Sequence, residues 1–565
     1  MPNTLRLTLL LALLALASTS ALAANPTLTH RWLFIMRGMD KPEVVERTIA
    51  LFPRAAKDGY NAVVLSDGNL YSRRWLTPEY RDNIKRVQKA AADNGLDLIP
   101  AVMAIGYASS IVGEDPNLAE GFPVKDTLYV VKGKEALFTP DHPVALAGGD
   151  FETAQDNRFA GWEMQDNVGT GSFADHEVYH GGRQSVRMEN IAQAEPKWGH
   201  SRLMQAVKVK PFRQYHLSVW VKTQDFEATD TARVAILAPT QKEQYIGDLP
   251  IHLQRTQDWT RCDMMFSSLE FSQVRIYLGC WGGKAGRIWW DDAVLEEVGV
   301  LNPLRRDGCP LSLRGEDGTV YQEGKDFQPI RDPELSGYPS YHQPLAIRLT
   351  ADTRILDGSR LRVSYYHPLL NPGEQPMCCL SDPKVYDILR RQVADVNDLL
   401  HPKVFFMQHD EIRIANWDES CQRRHMTPGQ LLADNVRRCA QMIRDIRPDA
   451  DIWVWSDMFD PMHNAVGDYY SVNGSWAGSW EGLDPGIGIV NWYGQLKGKN
   501  ARFFADRGEK QILAGYYDGS EHGEDIVEWL TGVEGVKGIV GAMYTTWQDK
   551  YDAMDEWARA AWGKP

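Results

Sequence analysis

Val404-Phe405-Phe406-Met407-Gln408-His409-Asp410-Glu411-Ile412-Arg413 is an apolar run that ends abruptly in two adjacent carboxylates. Consecutive apolar residues suit a strand buried on both faces, as in a parallel sheet. Strand side chains alternate between faces, so Asp410 and Glu411 can share one pocket only where the chain leaves the sheet. Carboxylates at the carboxyl end of a buried parallel strand stand where barrel enzymes place their chemistry.

Outward from this run, similar short apolar runs recur at residues 32–36, 62–65, 98–102, 452–455, 487–492, 512–516 and 539–545, eight in all. Amphipathic, helix-like stretches accompany them at 42–57, 77–94, 385–400, 428–447 and 525–531. Strands alternating with helices predict a parallel sheet, and eight of them predict an α/β fold, a (β/α)8 TIM barrel. An open doubly wound sheet is the alternative, but no Gly-rich phosphate loop recommends it. A long insertion follows the third run. Its middle has many short alternating runs with turns between them, which predicts an antiparallel β-sandwich, a jelly roll, inserted after barrel strand 3. The expected organisation is a signal peptide at 1–23, the first part of the barrel at 25–107, a connecting segment at 108–147, the sandwich at 148–300, a small β-rich linker domain at 301–366, and the second part of the barrel at 367–565.

The leader reading rests on Arg6, an apolar run at residues 9–17 and Ala21-Leu22-Ala23, an A-x-A site with cleavage expected after Ala23. No run reaches the roughly 18 apolar residues of a membrane span. The chain is therefore expected to be exported, periplasmic or extracellular. A net charge of −14 argues against nucleic acid as partner. The 19 Trp and 22 Tyr suit a core, and also flat platforms on which sugar C–H faces stack; an oligo- or polysaccharide is the expected partner. Seven cysteines cannot all pair within one chain; Cys262 with Cys280, and Cys421 with Cys439, are candidate bridges, and no spacing resembles a zinc site.

The carboxyl ends of barrel strands form one face. Here they offer Arg37, Asp67, His409, Asp410, Glu411, Trp455, Asp457, Trp492, Tyr493, Tyr516, Asp518, Trp547 and Asp549. Convergent carboxylates within aromatic walls are what glycoside hydrolysis requires: an acid for the leaving oxygen and surfaces for the ring.

The barrel resembles glycoside hydrolase family 20, the β-N-acetylhexosaminidases. Residues 61–67 (Asn-Ala-Val-Val-Leu-Ser-Asp) followed by Arg73-Arg74-Trp75 look like that family's second strand and loop, and Leu98-Ile99-Pro100-Ala101 through Ile105-Gly106 like its third. Asp410-Glu411 matches its Asp-Glu pair, Tyr516-Tyr517-Asp518 its Tyr-Leu-Asp, and Trp547-Gln548-Asp549 its Trp-x-Glu. The chain departs from the family at Phe406-Met407-Gln408-His409 in place of His-x-Gly-Gly, at Tyr107 in place of a histidine, at Asp549 in place of Glu, and in its long insertion. The resemblance implies a substrate-assisted retaining mechanism on terminal β-linked N-acetylhexosamine (GlcNAc or GalNAc), with no cofactor for catalysis. Glu411 would be the acid/base and Asp410 would orient the acetamide. Tyr516 would reach the acetamide oxygen, Trp455, Trp492 and Trp547 would wall the pocket, and Arg37 and Asp549 would hold outer hydroxyls. The inserted segment opens Gly149-Asp150-Phe151-Glu152, with Gly161-Trp162 shortly after, and closes Trp289-Trp290-Asp291-Asp292. It resembles the jelly-roll carbohydrate-binding modules related to families 4, 9 and 22, which implies a structural calcium on Asp150, Glu152 and Asp292. Two alternatives stand beside this reading: a retaining glycosidase on non-acetamido sugars with Asp518 as nucleophile, and a non-catalytic glycan-binding protein.

Overall fold

The computed structural model describes residues 28–240, 244–371, 374–496, 498–519 and 523–563. The expected leader at 1–23 lies outside them. Eight strands close into a parallel barrel: β1 (His30–Met36), β2 (Ala62–Ser66), β3 (Asp97–Val102), β4 (Val404–Met407), β5 (Asp451–Trp455), β6 (Ile487–Asn491), β7 (Gln511–Tyr516) and β8 (Ile539–Thr545). Closure runs through β8 back to β1, with Trp32 opposite Met543, while Phe406 of β4 lies opposite Ala101 of β3. Alternation decides the two faces. Trp32, Phe34, Phe406, Trp453 and Trp455 fill the barrel interior, whereas Leu33 and Ile35 pack outward into the larger core. Gly488 on β6 makes room for this filling, because a Cβ there would lie 2.3 Å from the Trp453 ring.

The expected helix-rich (β/α)8 architecture is corrected by the structure. Helices Pro42–Ile49, Pro78–Asp93, Pro383–Leu400, Pro428–Ile446, Lys499–Arg507, Glu524–Gly532 and Met554–Trp562 lie among the barrel strands, but no α-helix joins β5 to β6 among the described residues. That connection holds only the 3₁₀ turns Asp457–Phe459 and Ser479–Gly482 and a two-residue strand, Ser471–Val472, paired with Ile414–Ala415. Its sequence explains the loss. Pro461 and five glycines between 467 and 486 oppose a helix, and Gly474, Gly478 and Gly486 take left-handed φ. Helix amounts to only 24% of the chain, and antiparallel sheet dominates residues 122–367.

Two five-stranded antiparallel sheets occupy residues 164–297. One is built around Gln214–Gln224 and Arg287–Glu297, the other around Ala232–Leu237 and Gln273–Trp281. A six-stranded sheet pairs Arg360–His367 with Phe122–Lys132. The segment 108–147, read from sequence as a connector, therefore supplies strands to the same sheet as residues 312–367. All seven cysteines carry free thiols, so neither expected bridge forms. Cys262 and Cys280 lie on strands of different sheets, and Cys421 faces Cys379 at 3.7 Å. No described helix is long and apolar enough to cross a membrane.

Candidate active site

β4 ends at Met407, and the chain then leaves the sheet: Glu411 takes a left-handed φ of 50°. That turn breaks the strand alternation and brings Asp410 and Glu411 to one cavity of about 340 Å³, lined also by Tyr107, Trp455, Trp492, Tyr517 and Trp547. The Asp410 carbonyl is packed so tightly against Gly106 that a Cβ there would meet it at 1.8 Å. The Ile105 N–H donates to Gln408 O at 3.0 Å and the Gln408 N–H to Val102 O at 2.8 Å, so the third and fourth strand ends are laced together.

Donors crowd the Glu411 carboxylate. The Tyr107 hydroxyl donates to Oε2, Arg413 Nη2 lies 2.9 Å from Oε1, and Gln375 Nε2 donates to Oε2 at 3.5 Å. Arg413 is itself held by Gln375 Oε1 at 2.7 Å and stacks over Tyr470. Asp410 has a different environment: its Oδ1 is buried with no hydrogen-bond partner. Burial, with Asp457 and Glu411 as neighbouring charges, pushes its pKa well above the ordinary carboxylate range. Asp457 lies beneath the pair. Its Oδ2 accepts the Glu411 N–H at 2.9 Å and Asn464 Nδ2 at 2.8 Å, and its Oδ1 accepts Trp492 Nε1 at 3.2 Å. Burial raises its pKa to about 6 even against those donors.

Aromatic rings complete the cavity. Trp455 is fully buried, edge-on to Phe406 at 4.9 Å, and Trp547 sits 6.0 Å from it, centroid to centroid. Tyr517 stacks parallel to Trp492 at 5.6 Å and stands edge-on to Trp547 at 5.9 Å. His463 packs edge-on against Trp492, and burial lowers its pKa to about 4, so it is neutral there.

Other residues expected in the site do not line this cavity. Tyr516, Tyr517 and Asp518 are all left-handed, with φ of 78°, 46° and 59°. This run sends Tyr516 into the core, stacked on Tyr544 at 4.4 Å, and presents Tyr517 to the cavity instead. Both oxygens of Asp518 are taken, by Thr546 Oγ1 at 2.5 Å and the Trp547 N–H at 2.8 Å, so it clamps the end of β8. Arg37 and Asp549 pair with each other, Nε to Oδ1 at 2.5 Å. Asp67 is buried and accepts from the Met39 N–H, the Asn69 N–H and the Tyr80 hydroxyl. His409 faces Asn435 in the core at 3.1 Å, and Tyr493 stacks on His463. In the sandwich, Glu152 Oε1 accepts the N–H groups of Arg183 and Gln184, Asp292 Oδ2 lies 2.7 Å from His180 Nδ1, and Asp150 Oδ1 accepts the Glu152 N–H at 3.4 Å. These contacts tie the three side chains to turns of the sandwich.

Sequence reasoning missed Tyr107, Tyr517, Gln375 and Arg413. Tyr107 carried a signal, standing where the resembling family has a histidine. Gln375 carried none, because it reaches the site from the end of the insertion.

No family model matches the chain, and no curated relative does. Among solved structures it is similar to a rhamnosidase from Novosphingobium sp. PP1Y, at 10% identity over 95% of this chain and 59% of that one, with a TM-score of 0.35. The xylan-binding CBM22-1 domain of Paenibacillus barcinonensis Xyn10C is similar at 12% identity over 28% of this chain and 97% of its own, with a TM-score of 0.20. A structure described as "CBM4 structure and function" is similar at 17% identity over 27% of this chain and 99% of its own, also with a TM-score of 0.20. Scores of this size fix neither fold nor function.

Proposed function

We propose that the protein is a carbohydrate-active enzyme, exported, that hydrolyses a glycosidic bond at the barrel mouth. Its preferred substrate is a glycan with terminal β-linked N-acetylhexosamine. The observation that carries this reading is the pairing of Asp410 and Glu411 in one cavity walled by Trp455, Trp492, Trp547 and Tyr517. A binding site gains nothing from desolvating adjacent acids, whereas acid–base chemistry depends on it.

Asp410 lines the cavity, and its carboxyl group suits an incoming acetamide N–H. That bond would orient the acetamide oxygen for attack on the anomeric carbon and favour ionisation of Asp410. The released proton passes to Glu411, which donates it to the leaving oxygen as the sugar closes on itself. In the second half, Glu411 takes a proton from water as that water opens the cyclic intermediate. Tyr107, Arg413 and Gln375 hold the Glu411 carboxylate in place throughout. The engagement of Asp518 by Thr546 and Trp547 speaks against its use as a covalent nucleophile.

A second reading is favoured by the raised proton affinity of Asp410. In it Asp410 is the acid, and Glu411 attacks the anomeric carbon of a sugar that needs no acetamide. Hydrolysis of nitrophenyl β-glycosides of N-acetylglucosamine, N-acetylgalactosamine, glucose and galactose separates the two. Cleavage confined to the acetamido sugars supports substrate assistance, cleavage of the plain hexosides supports the second reading, and inactivity toward glycosides and longer glycans alike would reduce the protein to a glycan binder.

A further inference from the structure

Away from the cavity, four side chains from three distant stretches of sequence meet in the interior: Glu120, Cys379, Asp418 and Cys421, all buried. One ligand atom from each lies within 4.8 Å of the others. The spacing is specific. Cys379 Sγ is 3.7 Å from Cys421 Sγ and 3.5 Å from Asp418 Oδ1, and Cys421 Sγ is 3.7 Å from Glu120 Oε2. In a tetrahedral zinc site with Zn–S near 2.3 Å and Zn–O near 2.1 Å, the edges are about 3.7–3.8 Å between sulfurs and about 3.5–3.6 Å between sulfur and oxygen. A disulfide instead requires sulfurs at about 2.05 Å.

The surroundings orient these groups as ligands. The other Glu120 oxygen accepts the N–H groups of Trp417 at 2.6 Å and Asp418 at 3.1 Å, which turns Oε2 toward the sulfurs. Asp418 Oδ2 is held by Arg306 Nη2 at 2.5 Å, and its Oδ1 accepts the Cys421 N–H at 3.0 Å. The Ser381 N–H donates to Cys379 Sγ at 3.5 Å, as backbone amides do to metal-bound thiolates. Two buried carboxylates share the Arg306 neighbourhood, and the two charges of a divalent cation would balance the two thiolates formed as it binds.

We propose that Glu120, Cys379, Asp418 and Cys421 form a structural site for one zinc ion, which each thiol enters by releasing its proton. All four positions carry protein ligands, so no coordination position is open for catalysis. The ion would staple three segments. The first is the loop at 414–422, continuous with Glu411 and Arg413. The second is the segment at 375–382, which supplies Gln375 to Glu411, and the third is the chain around Glu120.

The test is the metal content of the full-length protein, purified without chelator, together with its thiol count after denaturation. About one equivalent of zinc per chain is expected, with every thiol free once the ion is stripped. The Cys379→Ser/Cys421→Ser double variant should lose the metal, and Glu120→Gln should release it to a weaker chelator than the parent protein requires. Should the double variant fail to fold, cobalt(II) loading of the stripped parent protein decides: thiolate-to-cobalt charge transfer with tetrahedral d–d bands is expected. Protein without zinc would overturn the proposal, whether its thiols are free or its intact mass is two hydrogens lower through a Cys379–Cys421 disulfide. So would zinc retained in the double variant, or cobalt binding without the charge-transfer band.

Discussion

Glu411 and Asp410 are neighbours in sequence with opposite surroundings, and their substitutions should separate accordingly. Glu411 is wrapped in donors, and Glu411→Gln is expected to lower kcat by about 10²–10⁴ on poor leaving groups, with binding retained and much smaller losses on activated nitrophenyl leaving groups. Asp410→Asn should lose about 10²–10³ whatever the leaving group if it positions the acetamide. If Asp410 is instead the acid, the two patterns exchange, and leaving-group dependence of kcat for both variants decides. Tyr107→Phe removes one charge-assisted hydrogen bond from Glu411, and a loss of about 10-fold in kcat/KM with little change in Tm is expected. An unchanged rate in Tyr107→Phe would mean that the contact does not shape the acid.

The end of β7 shows what a periodic reading of an element cannot see. Alternation from the buried run 512–516 leads to Tyr516 as the inward residue, but three successive left-handed residues displace the register and deliver Tyr517. Nothing in Tyr-Tyr-Asp announces that conformation, which costs of the order of 1–3 kcal/mol per residue and survives because the surroundings hold it. The Asp518 bonds to Thr546 and the Trp547 N–H are part of that hold. Tyr517→Ala is therefore expected to cut kcat/KM by about 10-fold or more through lost sugar contact, with a modest Tm change. Tyr516→Ala should instead lose about 3–5 kcal/mol of stability, because it empties the stack on Tyr544. Equal effects of both on activity and on Tm would refute the division. At the opposite rim, Gly106→Ala places a methyl against the Asp410 carbonyl. It should lower kcat far more than it lowers Tm, since a shift of about 1 Å at a reacting group costs up to 10²-fold.

Across the molecule, what could be read in advance followed burial. Runs such as 404–407 and 487–491 are apolar because the barrel buries both faces, and the sandwich alternates because it buries one. The missing helix between β5 and β6, the sheet shared by residues 122–132 and 360–367, and the meeting of Glu120 with Cys379 all depend on tertiary contacts with no local period. Burial also makes stability depend on pH in two opposed ways. His409 and His463, lowered to about 4, and His367, lowered to about 3, are neutral in the fold, whereas the unfolded chain protonates them below about 6.5. Between these values the unfolded state binds more protons, so stability falls as the pH drops. Asp457 works the other way. Its folded value of about 6 exceeds the ordinary value of 3.8, so its contribution is present in full below about pH 4 and is lost as the pH rises through 6. Asp248 and Asp291, raised by burial to about 6, act in the same direction as Asp457 and against the three histidines. Asp457→Asn stays neutral throughout and isolates the part that Asp457 contributes. Relative to that variant, the parent should gain on the order of 2–3 kcal/mol on going from pH 8 to pH 4. A difference in Tm between the two proteins that stays constant with pH, or grows toward alkaline pH, would show that Asp457 is not held with a raised proton affinity beneath the Asp410–Glu411 pair.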